Sequence, residues 1–347
     1  MKKKQIVSLI ILIVLMCISF HILLSGNNIK DLFKIIENSN WRYLFIAVGF
    51  MILYFGLEAL MLKRLIVKIA PERQKISLKT AIKATLIGQY YNQITPLSSG
   101  GQPMQLFVLK NANISTGQST VILLSKFLYF QIGVTLYAMV LTILGINKLW
   151  SSLNHAFYFV AIGLLVNVMG LSLIVLMTFK PEGLKRILNS IFEFLEKIHI
   201  VKNKERILLK VDHFIEEYKS GIAIIKSDVF YSIKMFGLTF IQLTLFFSIT
   251  WLIYKALGLS GASIFKIVTL QALLYMAVSF VPVPGTMGAS EAGFLLILGS
   301  VFTGQLATVA LLLWRGISYY FSLIFCGMYT LTMSIKDIIF SKKTQIA

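Results

Sequence analysis

Hydrophobic residues run through this chain in blocks rather than stripes. Long apolar segments cover 5–24, 42–62, 120–146, 156–179, 229–254 and 306–333. A helix needs roughly 20 such residues to cross the hydrocarbon core of a bilayer. Two further regions, 78–112 and 263–302, are apolar but broken by Pro and Gly. The alternating segments of about ten residues that mark a transmembrane β-barrel are not visible. The pattern predicts an all-α polytopic integral membrane protein.

The basic residues decide how the broken regions fit. Lys2, Lys3 and Lys4 precede the first apolar run. Lys63, Arg64, Lys68, Arg73, Lys75, Lys79 and Lys83 follow the second, and eleven more Lys/Arg fill 180–234. The short loops 147–155 and 255–262 carry only Lys148 and Lys255. Lys and Arg collect on the cytoplasmic side, so both basic stretches and both termini are expected there. Region 78–112 must then start and finish inside, and 263–302 must start and finish outside. Each reads as a re-entrant hairpin, one from each face. Irregular backbone at membrane depth is tolerated only where protein buries it or a watery cavity meets it. The expected architecture is six full spans plus two opposed hairpins, within a single membrane domain covering 1–347.

The breaks resemble each other. One is Pro96-Leu-Ser-Ser-Gly100 and the other Pro284-Gly-Thr-Met-Gly288. Paired interruptions in the two halves are the pointer to an inverted-repeat transporter site. Pro96, Gly100, Gly101, Pro103, Pro282, Pro284, Gly285 and Gly288 are the expected break and hinge positions. The connector 180–228 differs in kind. Ile187, Ile191, Phe194, Leu195 and Ile198 recur at helical spacing, as do Leu208, Val211, Phe214, Ile215 and Tyr218. Lys and Glu between them suggest amphipathic helices on the cytoplasmic surface, acting as a lipid-sensing element or as a linker.

Composition agrees with the pattern. Hydrophobic residues make up 57% of the 347 and charged residues 14%, against about a quarter charged in soluble domains. Mean hydropathy is +0.81. The net charge of +19 sits mostly in loops, so it attracts anionic lipid headgroups and is no argument for nucleic acid. Cys17 and Cys326 lie in apolar runs and read as packing residues. The four histidines are scattered; no metal site, cofactor or catalytic set is expected. The apolar run after the N-terminal lysines is long for a signal peptide, which favours an uncleaved first span.

Charges inside apolar runs are costly unless paired or hydrated. Glu58 and Lys126 sit near the ends of their spans and read as snorkelling residues or charge partners. Arg315 interrupts "ATVALLLWRGISYYFSLIF" and Glu291 opens the limb after "PVPGTMGAS". Two readings stand together: an ion pair that locks helices, or a phosphate-binding Arg315 with Glu291 meeting a cationic headgroup or Arg315 itself. Gln89, Asn92, Gln93, Thr95, Ser98, Ser99, Gln102 and Gln105 line the first broken region. Gln93, Thr95, Ser98, Ser99 and Gln102, with Arg315 and Glu291, are the expected substrate contacts; helix–helix glue is the other reading of the amides and hydroxyls.

"NQITPLSSGGQPMQ", "FVPVPGTMGASEAGF" and a late "LLLWRGISYY", in that order, resemble the lysylphosphatidylglycerol synthase transmembrane-region family, the membrane part of the multiple peptide resistance factor proteins. The likeness covers roughly 5–335. It implies a bacterial-type cell membrane, movement of aminoacylated phospholipid to the outer leaflet, and resistance to cationic antimicrobial peptides. Full-length synthases add a soluble domain that transfers lysine from lysyl-tRNA to phosphatidylglycerol. The longest soluble segment here, 180–228, is too short for such a fold, so lysyltransferase activity is the alternative and a lipid-binding subunit of an envelope-glycan enzyme the third. A membrane phospholipid is the expected ligand. A second copy or a separate synthase are the protein partners left open. No nucleic acid is expected, save lysyl-tRNA under the enzyme alternative. No Walker-type phosphate loop occurs, so no intrinsic ATPase is expected.

Overall fold

The structure is a computed structural model that describes residues 28–73, 76–153, 156–179, 183, 204–279 and 281–344. The span expected at 5–24 and the first half of the connector, 184–203, lie outside the described residues. All regular structure among the described residues is helical.

A short amphipathic helix, α1 (Ile29–Glu37), precedes α2 (Trp41–Ile69). Asn28 and Asn40 cap them, each side chain accepting a backbone N–H two residues on; such caps fill donors that a helix start leaves empty. Next come α3 (Leu78–Ile94), a turn at Pro96–Ser98, and α4 (Gly101–Asn111). Then follow α5 (Thr116–Leu153), α6 (Ala156–Phe179), α7 (Lys204–Ser227) and α8 (Val229–Ala256). The last third holds α9 (Ile264–Val278), a turn at Pro284–Thr286, α10 (Ala289–Leu298) and α11 (Gln305–Arg315). A π-helical segment, Gly316–Phe321, joins α11 to α12 (Ser322–Thr344) without a stop.

Among the described residues, four stretches are long and apolar enough to cross a membrane: Trp41–Ile69, Thr116–Leu144, Val229–Ala256 and Gln305–Met333. Their 28 or 29 residues span roughly 43 Å at 1.5 Å each, more than a hydrocarbon core. Phe45, Leu144, Ile143, Ile324 and Met328 point outward, whereas Glu58, Glu291 and Arg315 are buried. That inside-out distribution belongs to a multi-pass membrane protein, in which lipid solvates the apolar exterior.

Both broken regions fold back on themselves. The first limbs start at serine caps, Ser77 accepting from Thr80 N and Ser263 from Lys266 N. In each case the second limb packs against the first, α4 on α3 and α10 on α9. Gly101 permits the first of these approaches: a Cβ there would overlap Asn92 Oδ1 and sit 2.6 Å from the Gly88 carbonyl oxygen. Small residues allow such close backbone packing between membrane helices.

The connector's second half is α7, which packs against α5. Tyr218, Ile215 and Ile222 are buried there, on the face the spacing predicts. Gly117 N at the start of α5 donates to Glu217 Oε2 at 3.1 Å, satisfying one of that helix's empty donors. Beyond α7, Asp228 caps α8 by accepting from Tyr231 N at 2.8 Å. It also pairs with Lys68, whose hydrogen bond holds the Asp228 carboxyl below its ordinary pKa, helped by the Tyr231 N–H.

Candidate functional site

The breaks begin with the same backbone turn. Thr95 and Val283 are both extended, at φ/ψ −120/145 and −120/139. Each precedes a proline that cannot continue a helix. Two left-handed residues follow: Leu97 and Ser98 at φ 53 in the first, Gly285 at φ 59 and Thr286 at φ 51 in the second. The turn bonds repeat as well. Ser98 N donates to Thr95 O at 3.2 Å and Ser99 N to Pro96 O at 3.1 Å; Thr286 N donates to Val283 O at 2.9 Å and Met287 N to Pro284 O at 3.4 Å. The likeness in sequence is a likeness in conformation through the two left-handed residues and ends there: Ser99 and Gly100 are helical at φ/ψ −74/−18 and −80/−22, whereas Met287 is extended at −60/144 and Gly288 sits at φ 82.

The breaks also meet. Ile94, Met287 and Tyr319 form a buried cluster between them, and the Tyr319 hydroxyl donates to Gln93 O at 3.1 Å. Beside this contact lies a cavity of about 760 Å³, large enough for a phospholipid headgroup. The first break contributes Gln93, Ser98, Ser99, Gln102 and Pro103, and the second Gly285, Thr286 and Ser290. Arg315, Ser318 and Tyr319 enter from α11 and the π-helical segment. Such π segments recur at functional sites.

Two buried ion pairs stand at this cavity. Arg315 Nε donates to Glu291 Oε1 at 2.7 Å and Arg315 Nη2 to Gly285 O at 3.1 Å. The other Glu291 oxygen accepts from Gly288 N at 2.6 Å. The carboxylate thus aligns the arginine and closes the start of α10. Rings of Trp314 and Tyr319 flank the guanidinium, 5.4 and 5.2 Å from its carbon, a stacking that a planar delocalised cation favours. These bonds engage two of the five guanidinium donors, and Arg315 faces the cavity.

The second pair joins α2 to α5. Lys126 Nζ donates to Glu58 Oε1 at 2.7 Å and to Gln105 Oε1 at 2.9 Å. Gln89 Nε2 donates to Glu58 Oε2 at 2.6 Å. The Lys126 and Glu58 side chains keep only 13% and 9% of their accessible surface. Neither snorkels to an interface; each is the other's partner. A pair this deep persists because its remaining lone pairs and protons are also bonded.

Several expected contacts converge on the cavity and two do not. Gln93, Ser98, Ser99, Gln102 and Arg315 line it, whereas Thr95 and Glu291 lie behind its wall. The Thr95 hydroxyl donates to Tyr91 O at 2.7 Å and accepts from Gly100 N at 2.8 Å, so it holds the turn. Of the break residues, Gly285 and Pro103 reach the cavity; Pro96, Gly100, Gly101, Pro282, Pro284 and Gly288 shape the backbone around it. Gln131, Gln242, Gln271 and Tyr275 also line it, and none was singled out from the sequence. Three amides inside apolar runs were the available signal. Among the described residues, no group of His, Cys, Asp or Glu is arranged to hold a metal ion.

A family model described as "Lysylphosphatidylglycerol synthase TM region" matches residues 5–326. No curated protein matches the chain.

Proposed function

Taking as premise that the chain belongs to the lysylphosphatidylglycerol synthase TM region family, we propose that it moves anionic or aminoacylated phospholipid between membrane leaflets. The observation that carries this reading is the cavity at which two matching chain breaks and two buried ion pairs converge. A headgroup crossing a bilayer must exchange water for fixed polar partners, because the hydrocarbon offers none. Arg315 supplies N–H groups to the phosphate, in the paired geometry that guanidinium and phosphate favour, and Glu291 holds Arg315 in place. Gln93, Ser98, Ser99 and Gln102 replace the remaining hydration, while the acyl chains stay in lipid. We place the two hairpins as entering from opposite faces, with both termini cytoplasmic in a bacterial-type plasma membrane. The touching breaks are then the gate that the two halves open alternately.

Reconstitution tests this directly. Proteoliposomes carrying fluorescent anionic and aminoacylated lipids should show leaflet exchange above empty vesicles. The Arg315→Ala variant should slow it at least about tenfold, the effect of removing a charge-assisted bond of more than about 1.4 kcal/mol. No exchange above empty vesicles for any of these lipids would overturn the proposal. The enzyme reading draws support from the word synthase in the family description. Lysylated lipid formed from lysyl-tRNA and phosphatidylglycerol by the purified chain would replace the transport reading with that one.

A further inference from the structure

We infer that the cavity is built for a phosphodiester bearing free hydroxyls, a phosphoglycerol or larger phospho-polyol headgroup, rather than for an aminoacyl headgroup with its ammonium groups. This rests on the lipid-transport reading and narrows its substrate.

Charge is the first observation. Among the described residues, the charged side chains that line the cavity are one carboxylate, Glu58, and two cations, Lys126 and Arg315. Both Glu58 oxygens already accept short bonds, from Lys126 and Gln89 at 2.7 and 2.6 Å. Both Glu291 oxygens behind the wall do likewise, from Arg315 and Gly288 N at 2.7 and 2.6 Å. An incoming ammonium therefore finds no carboxylate oxygen free to accept from it. A phosphate can accept from the Arg315 N–H groups that the bonds to Glu291 and Gly285 leave over.

The hydrogen-bonding inventory is the second. Five side chains of the cavity lining carry a buried polar atom without a partner. Gln105 Nε2, Gln271 Nε2 and Trp314 Nε1 are donors; Asn92 Oδ1 and Gln93 Oε1 are acceptors. Buried polar groups are ordinarily satisfied, so five unsatisfied ones at a single cavity are donors and acceptors available to a ligand. A phosphate only accepts and an ammonium only donates. A hydroxyl does both, and vicinal hydroxyls match a wall that mixes amide donors with amide acceptors. Sites built to bond a substrate hydroxyl also reject analogues that lack it, because their polar groups are then left unpaired.

The experiment titrates purified protein in detergent with dioctanoyl phosphatidylglycerol, phosphatidylinositol, phosphatidylcholine and lysylphosphatidylglycerol, following tryptophan fluorescence. The Trp314→Phe variant identifies the signal that arises at the cavity. Phosphatidylglycerol and phosphatidylinositol, which carry free vicinal hydroxyls and no ammonium, should bind at least about fivefold more tightly than the other two; their order tells glycerol from a larger polyol. Gln93→Glu places the absent carboxylate in the wall and should raise lysylphosphatidylglycerol affinity at least about fivefold. Gln102→Glu serves the same purpose if the first variant does not fold, as judged by gel filtration. Wild-type protein that binds lysylphosphatidylglycerol as tightly as phosphatidylglycerol, or binds none of the four, overturns the inference. So does an added carboxylate that leaves the ratio unchanged. Selective binding without exchange in proteoliposomes would instead sink the transport reading and leave the headgroup assignment standing.

Discussion

The two breaks share the entry into their turns, through the two left-handed residues, and differ in how the chain leaves and in what closes it. At the first, the N–H of Gly100 is met by a neutral hydroxyl, that of Thr95. At the second, the N–H of the corresponding Gly288 is met by a carboxylate that also holds a buried arginine. Exposure follows the same division. Pro96 through Ser99 are exposed, whereas Pro284 and Met287 are buried. One break is therefore soft and neutral, the other clamped and charged. The duplicated turn makes irregular backbone possible at membrane depth, and the side chains around it then specialise. The clamped break fixes a cation at the cavity, while the soft one offers hydroxyls and amides that can adapt to a passing headgroup.

The largest test of this contrast removes each closing group. Glu291→Ala leaves Arg315 buried without its partner and frees the Gly288 N–H. Breaking one side of a buried pair costs about 3–5 kcal/mol. Thr95→Ala leaves a single part-buried N–H unsatisfied, costing about 1–2 kcal/mol. Thermal unfolding in detergent should therefore rank Glu291→Ala well below Thr95→Ala. The double variant Glu291→Ala with Arg315→Ala should recover part of the loss, because no orphan charge remains. Equal damage at the two breaks would erase the distinction between them.

A middle-sized effect separates backbone from side chain. Gly285 sits at φ 59, and a Cβ there would overlap the Tyr319 ring. Gly285→Ala should cost about 1–2 kcal/mol for the left-handed backbone alone, and displacing Tyr319 should weaken its bond to Gln93 O. The measurement is again the unfolding midpoint, with Tyr319→Phe as a reference that removes the hydroxyl bond without the overlap. Gly285→Ala no worse than Tyr319→Phe would mean that the turn adapts freely and the clamp is elsewhere.

How much of this was legible in the sequence depends on how far apart the partners lie. Apolar blocks, broken by Pro and Gly, mark the spans and both fold-backs because bilayer thickness sets the first and proline chemistry the second. Helix ends were less visible. The apolar run 120–146 belongs to a helix running from Thr116 to Leu153, since a helix continues into water after hydropathy has fallen. The Glu291–Arg315 pair was legible as one of two readings, Arg315 being mid-run and Glu291 at the start of an apolar limb. The Glu58–Lys126 bond was legible only as charge partnership beside snorkelling: each residue sits near the end of its run, and packing α2 against α5 decides for the pair. Gln271 and Gln242 were overlooked because one amide in an apolar run is as good a helix-packing group as a cavity wall. Thr95 lies among the cavity's polar residues in sequence, yet its hydroxyl serves the turn, a local bond that residue type alone does not announce.

The smallest expected effect asks whether the soft break stores strain. Leu97 occupies the left-handed region at φ 53 with no compensating glycine, and its side chain is 55% exposed at the cavity. A non-glycine residue in that conformation costs about 1–2 kcal/mol, against which glycine loses more freedom on folding. Leu97→Gly should then raise stability by about 0.5–1 kcal/mol, visible as a modest rise in the unfolding midpoint. Leu97→Ala removes the same apolar bulk but keeps the Cβ in the strained region, so it should bring no such gain. Equal gains from both would assign the effect to the exposed leucine side chain rather than to the backbone. The corresponding residue of the clamped break is already glycine. A gain confined to Leu97→Gly would therefore show that the two turns differ in stored strain as well as in charge, with the strain held where the headgroup is proposed to pass.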